Sequence, residues 1–369
     1  MSTRTPRFTL EGVENAAASV HPFSTDDGLG LYLTQFRRSD QGDVVLLIHG
    51  LTSSSDMFIL PEQEHNLVSY LLDSGFGEVW TLDFRMSSRF PYDTETHRFT
   101  IDDAVKYDHP AALREVRRHI GDERQLHVIG HCLGSMSFTM GLAAGTVEGI
   151  TSMVSTCVAL IPRVPRWSRM KLALGPNFLE YVLGFPFLDP RFAQTPPLTR
   201  PWLLSRLVDL FHRECDVRSC HMLSFMWGSG KPGMYLHHNL LPETHERIAD
   251  LCSATGVHYY RHISKMVHAG RAVKYDPGNP RHADLPNDYL ASAGKITTPI
   301  LFLTGDRNKV FADSNVACHN VLSEMSPGLH ELEIIPGYGH QDMVMGKNSH
   351  RDVFPRMVEF LRKHSGGAR

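Results

Sequence analysis

The chain has 369 residues, 42% of them hydrophobic and 21% charged, with a formal net charge of -3 and a pI near 6.7. That is ordinary globular composition, long enough for one large α/β domain with an insertion, and it offers no basic stripe for nucleic acid. The first residues lack the apolar core of a secretory signal, and no run reaches the ~18 apolar residues of a membrane span, so the cytoplasm is the default expectation.

Two alternating runs, 18–22 and 29–37, flank Asp26-Asp27-Gly28 and predict a β-hairpin. Residues 44–50, VVLLIHG, form a continuous apolar run between glycines, which fits a fully buried parallel strand. A helix is expected near 66–74, a strand over 78–84, and a helix over 101–120 with Asp102 and Asp103 at its acidic start. Further buried strands are expected over 125–130 and 150–160. This alternation predicts an α/β fold with a mostly parallel, doubly wound sheet.

The alternation stops at Pro162 and resumes after Tyr289. The segment between is rich in Pro, Arg, Trp and Met and reads as a helical cap inserted over the sheet. The expected organisation is therefore a core over 1–161, a cap over 162–290, and a second part of the core over 291–369. The cap aromatics, Trp167, Phe178, Tyr181, Phe185, Phe187, Trp202, Phe225 and Trp227, either pack internally or line an apolar pocket, and packing is the simpler reading for most of them. Strands over 299–308 and 329–340 and a final helix with Val353, Met357, Phe360 and Leu361 on one face complete the core.

The six cysteines are scattered, which suggests free thiols in a reducing compartment. Cys215, Cys220 and His221 lie close together, but at no standard zinc spacing, and read as semi-buried thiols. His97, His109, His119 and His319 stand singly in polar segments and read as surface residues. No metal and no cofactor is expected.

The chemistry concentrates at Gly130-His131-Cys132-Leu133-Gly134, between an apolar strand and a small-residue helix start. This is the G-x-S-x-G nucleophile elbow with sulfur in place of the hydroxyl. Its glycines flank a strained residue because side chains there would collide with strand and helix. The following helix aims free N–H groups at the nucleophile, which favours a thiolate. His49-Gly50-Leu51 ends a central strand, so the backbone N–H groups of Leu51 and Leu133 are the expected oxyanion donors, with His49 structural. His340 follows the last strand on a glycine-bearing loop and is the expected base. The third member falls on Asn308, three residues after Gly305, with Asp306 as the alternative acid out of register. A cysteine–histidine pair can balance its own charges, and an amide can then orient the ring, which favours Asn308.

These residues resemble an α/β-hydrolase. The stretch Phe99 to Ala111, containing Asp102, Asp103, Tyr107, Asp108 and Pro110, is similar to a motif of the gastric and lysosomal acid lipase branch. So are Tyr338-Gly339-His340-Gln341-Asp342 with the later Gly346, and the span from Tyr259 to Asp276, which resembles the segment leading to that branch's acid strand. The elbow, the asparagine and Gly346-Lys347-Asn348 are most similar to hydrolase domains associated with cholesterol-oxidase-like flavoenzymes. The chain has no G-x-G-x-x-G fingerprint, so no flavin domain is expected within it. Acid lipases are serine enzymes with a carboxylate, so triacylglycerol hydrolysis does not carry over. The resemblance implies acyl-group chemistry on an apolar substrate under a cap.

Three functions follow. The first is hydrolysis of an ester or thioester, free or carrier-bound, through an acyl-enzyme on Cys132. The second is acyl transfer or cyclisation, in which the acyl group passes to a non-water acceptor in a dry pocket. The third, a non-catalytic binding protein, predicts a broken base or oxyanion loop, whereas Cys132, His340 and Leu51 are all in place.

Overall fold

The protein is described by a computed structural model covering residues 13–94 and 99–366. Its core is one eight-stranded sheet. The strands are β1 (Ala17–Ser24), β2 (Gly30–Arg37), β3 (Val44–Ile48), β4 (Glu78–Asp83), β5 (Leu126–His131), β6 (Ser152–Thr156), β9 (Ile300–Gly305) and β10 (Glu331–Ile335). They lie in the order β1-β2-β4-β3-β5-β6-β9-β10. β7 (Phe187–Leu188) and β8 (Thr255–Gly256) form a separate antiparallel ribbon.

Every residue of β3, β4, β5, β6 and β9 is buried, as expected of strands covered on both faces. β3 pairs in parallel with β4 and β5, β5 with β6, β6 with β9 and β9 with β10. β1 and β2 form the expected hairpin, antiparallel to each other and, through β2, to β4. Gly28, at φ +84°, supplies the left-handed turn residue between them.

Register places the site. Ile48 pairs with Gly130 and His131 with Thr156, so the chain leaves β3, β5 and β6 side by side. From β3 the order runs to β4 on one side and β5 on the other. This reversal opens a crevice at the carboxyl ends of the strands, where open α/β sheets bind ligands.

The expected helix over 101–120 is three pieces: Ile101–Asp103, a π-helical turn at Ala104–Asp108, and His109–Ile120. Its first acids do more than meet the helix dipole. Asp103 closes a capping box with Thr100 and accepts from His282, while Asp102 accepts from the Tyr289 hydroxyl and the Tyr275 N–H. Asp108 binds the fully buried Arg85 through both carboxylate oxygens. The motif thus anchors the far end of the inserted segment and a buried ion pair. His109 corrects the surface reading. It is fully buried, bonded to Ser137, with its basicity lowered to about 3 by burial. His119 is exposed and His319 half-buried, while His97 lies outside the described residues.

Between β6 and β9 no strand joins the main sheet. This stretch carries the helices Arg166–Asn177, Arg200–His212, Arg218–Trp227 and Val257–Ala269. The packing expectation for its aromatics fails at Trp167, Phe178 and Tyr181, which are 51%, 52% and 69% exposed. Trp227 is buried, stacked on Tyr260 with ring centroids 4.4 Å apart. All six cysteines are free thiols, five of them buried. No helix among the described residues is long and apolar enough to cross a membrane.

Candidate active site

Cys132 sits between β5 and the helix Leu133–Ala144 at φ 54°, ψ -125°, a conformation that L-residues rarely adopt. The flanking glycines are there for lack of room. A Cβ on Gly130 would lie 2.7 Å from Ser135 Cα, and one on Gly134 would lie 2.2 Å from the His49 carbonyl oxygen. Gly50 is as constrained, since a Cβ there would stand 2.8 Å from Cys132 Cβ. Three glycines therefore bring the ends of β3 and β5 and the helix start into one tight elbow.

The backbone N–H groups of Leu51 and Leu133 act on the Cys132 thiol, each pulling against the effect of burial, and both residues line its pocket. These are the two donors expected to form the oxyanion hole. The Leu51 turn is held from behind. Thr52, at φ 67°, donates to the Leu51 carbonyl, and Ser53 donates to the Gly50 carbonyl at 3.1 Å. His49 is wholly buried, donates from Nδ1 to the Gly50 carbonyl at 2.7 Å, and is structural.

His340 shares a small pocket with Cys132, Leu51, Leu133, Trp227 and Met234. Its backbone N–H donates to the Met234 carbonyl at 3.2 Å, and its carbonyl accepts from the Cys157 thiol at 3.6 Å. Its ring lies between those of His131 and Phe311, at centroid distances of 5.0 and 6.0 Å. Asp342 clamps the loop, accepting from the N–H groups of Gly339 and Leu236 and from Asn239 Nδ2. That explains the carboxylate two residues beyond the histidine. It fastens the His340 loop to Leu236 and Asn239.

Burial sets the electrostatics. It pushes the Cys132 thiol up to about 12, against the opposing pull of the two N–H donors. It also holds His340 well below the usual histidine range, helped by neighbouring His131. Both directions favour neutral partners at rest, a thiol beside an uncharged imidazole. The preformed thiolate–imidazolium pair expected from sequence is therefore not the resting state that this environment favours.

Neither candidate for the third position bonds the His340 ring. Asn308 is buried, and its Oδ1 accepts from the N–H groups of Val310 and Phe311 at 3.0 and 3.1 Å, shaping the turn that sets Phe311 against His340. Asn308 Nδ2 and His340 Nδ1 are both buried without a hydrogen-bond partner. Asp306 points elsewhere: it accepts from the Gly337 N–H at 2.7 Å, and its side chain is 36% exposed.

Other residues meet at this site from places that the elbow motif does not reach. His131 bonds Gln341 Oε1 at 2.8 Å and Thr156 Oγ1 at 2.9 Å, bridging the elbow to the base's loop. Its place beside Cys132 was the available signal. Met234 and Trp227 come from the inserted segment, where nothing in the sequence ties them to the elbow.

Beyond Trp227 and Val310, which line both spaces, lies a cavity of about 210 Å³. Its walls are almost entirely apolar, with Leu172, Leu188, Leu204 and Ile263 among them. Ser168 and Lys171 are polar members of the wall: Ser168 donates to the Gly228 carbonyl at 3.3 Å, and the Lys171 ammonium donates to the carbonyls of Phe225 and Gly228, both at 2.7 Å, and is brought down to about 8 by burial.

The chain is 25% identical to triacylglycerol lipase 1 of Arabidopsis thaliana over 94% of its own length and 88% of that protein's. It is 23% identical to human gastric triacylglycerol lipase, covering 87% of this chain and 80% of that one. Among solved structures, a Pyrococcus furiosus esterase superposes with a TM-score of 0.53 at 16% identity, over 95% and 92% of the two chains. A thermophilic esterase from Thermogutta terrifontis gives a TM-score of 0.53 at 14% identity, over 94% and 99%. These two likenesses speak to fold. The family model described as alpha/beta hydrolase fold matches residues 43–345, the span from the start of β3 to the loop that carries His340. The chain belongs to the α/β-hydrolase family and is an enzyme of that fold.

Proposed function

We propose that the protein cleaves an ester or thioester of an apolar acyl group, with Cys132 as nucleophile and His340 as base. One observation carries this reading. Cys132 stands at a strained elbow in a pocket that it shares with Leu51, Leu133 and His340, and that pocket adjoins an apolar cavity. The relatives named as triacylglycerol lipases and the esterases of like fold support an ester substrate. The elbow's likeness to cysteine-bearing hydrolase domains supports sulfur as the attacking atom.

In this mechanism, the acyl chain enters the cavity past Trp227 and Val310. The carbonyl oxygen accepts from the two N–H donors. His340 takes the Cys132 proton as sulfur bonds to the carbonyl carbon, then delivers it to the departing alcohol or thiol. Water, deprotonated by the same ring, releases the acid. Because the resting pair is neutral, charge separates only as the bond forms, where the oxyanion donors act. The imidazolium then needs an acceptor at Nδ1, and Asn308 is proposed to supply it by turning Oδ1, which at rest accepts from the Val310 and Phe311 N–H groups, toward the ring. The segment 162–290 acts as the cap. The free thiols fit a reducing compartment such as the cytoplasm.

The nearly apolar cavity wall favours a second reading, transfer of the acyl group to a non-water acceptor. The test is intact-mass analysis of protein mixed with short- and long-chain acyl esters, thioesters and a triacylglycerol, with and without added alcohol or amine. An acyl adduct that decays in water alone supports hydrolysis, and decay only on adding a nucleophile supports transfer. Absence of an adduct and of turnover with every substrate contradicts both.

A further inference from the structure

A second cluster of reactive side chains lies within the inserted segment, away from Cys132. Cys215, Cys220, His237 and His245 each place one ligand atom so that all four lie within 4.8 Å of one another. We infer that these four residues form a structural zinc site that fixes the Met234 loop, on which the loop holding His340 is docked.

The donor set decides the ion. Two thiolates and two imidazoles suit zinc, whereas magnesium, calcium and manganese prefer oxygen. Tetrahedral zinc, with bonds of about 2.3 Å to sulfur and 2.0–2.1 Å to nitrogen, sets its ligand atoms about 3.3–3.8 Å apart. Cys220 Sγ and His237 Nε2, at 3.3 Å, already have that spacing.

Independent features point to a cation. His245 Nε2 is buried with no hydrogen-bond partner. The Val217 N–H donates to Cys215 Sγ at 3.4 Å, which favours a sulfur carrying negative charge. The Glu214 side chain is only 2% exposed, with Oε1 3.2 Å from Cys220 Sγ and 3.8 Å from His237 Nε2. A buried carboxylate beside a thiol and an imidazole is a place for positive charge. His221 takes no part, since it bonds Asp209 and the Cys215 carbonyl instead.

Binding would replace two S–H bonds by two Zn–S bonds and release two protons to solvent. Each histidine would give a lone pair from a neutral ring nitrogen, and no redox change is involved.

The placement gives the metal its task. Cys220 lies on the helix that ends in Trp227, and His237 and His245 follow the loop containing Met234. The Met234 carbonyl receives the N–H groups of His340 and Gln341, and Asn239 holds Asp342 and the Gly337 carbonyl. Zinc would fix both ends of this loop and, through it, the position of the base. The four ligands act as positioning residues.

The test uses the full chain, purified without a metal-binding tag and analysed for bound metal by mass spectrometry. About one zinc per chain is expected, falling at least about tenfold in a Cys215→Ser/Cys220→Ser variant. Should that variant misfold, His245→Ala offers a milder lesion, expected to weaken zinc binding in a competition titration. Reduced, metal-free wild-type protein should also take up one cobalt ion with the visible absorption of a tetrahedral thiolate site. On zinc removal, hydrogen exchange of the amides between residues 233 and 240 should rise. Wild-type protein that takes up neither zinc nor cobalt would overturn the proposal. So would full zinc content in the double variant, or a Cys215–Cys220 disulfide as the stable state of protein purified with zinc present. Metal content and exchange are read without substrate, so they stand or fall apart from the acyl chemistry at Cys132.

Discussion

At Cys132, the proposed nucleophile, backbone conformation sets the place of the thiol and burial tempers its reactivity. Because its thiol is pushed up to about 12 and His340 is held well below its ordinary range, the free protein should react slowly with iodoacetamide at pH 7. Labelling of Cys132 should accelerate only at strongly alkaline pH, above the ~8.5 of an ordinary cysteine. Fast labelling below pH 7 that vanishes in His340→Ala would mean the pair is ionised at rest. The elbow was legible in the sequence because two glycines and a buried strand leave one conformation for the residue between them. Asn308 was legible as a position and not as a contact: counting from Gly305 gives its place, but only the fold shows its Oδ1 committed to Val310 and Phe311.

The elements around the site depend on close approach. Gly134 packs its Cα against the end of β3, and an alanine Cβ there would meet the His49 carbonyl oxygen at 2.2 Å. Gly134→Ala should therefore cost about 1–3 kcal/mol by urea unfolding and also abolish acyl-adduct formation, because the helix start and the Leu51 turn must part. Loss of stability with normal adduct formation would show that the oxyanion loop adjusts independently. Asp342→Asn sets an amide against three hydrogen-bond donors, so the His340 loop should loosen and kcat should fall by about 10²-fold. An unchanged kcat would show that the Met234 contact alone holds the loop. The hairpin, β3, β5 and the last helix were readable from periodicity and turn residues. The cluster at Cys215 was not, because its ligands span a Cys-x4-Cys-x16-His-x7-His spacing that only the folded segment gathers.

Across the whole molecule, buried neutral histidines set the response to acid. His131 is lowered to about 4 and His109 to about 3, both by burial, and His340 is lowered as well. Below their unfolded value of ~6.5 the unfolded chain binds more protons than the folded one, so stability falls as pH drops. His131 alone carries a loss on the order of 3 kcal/mol between pH 6.5 and 4. Urea unfolding at pH 7 and pH 5 should show this decline, and equal midpoints would contradict it. The apolar cavity sets substrate size. Ile263→Trp should fill it, raising KM for long-chain acyl esters while leaving acetyl esters nearly unchanged, whereas an equal effect on both would place the acyl chain elsewhere. Composition set residues 162–290 apart from the core but carried no sign of the cavity among their helices. Surface aromatics such as Trp167 and buried ones such as Trp227 look alike until the helices are placed.

The most direct test of Cys132 as the nucleophile is peptide mass mapping of protein quenched in acid during turnover of an acyl ester or thioester. The acyl mass is expected on the Cys132 peptide of the wild-type protein, with neither adduct nor turnover in Cys132→Ala. An acyl group on another residue, or undiminished turnover in Cys132→Ala, would contradict it.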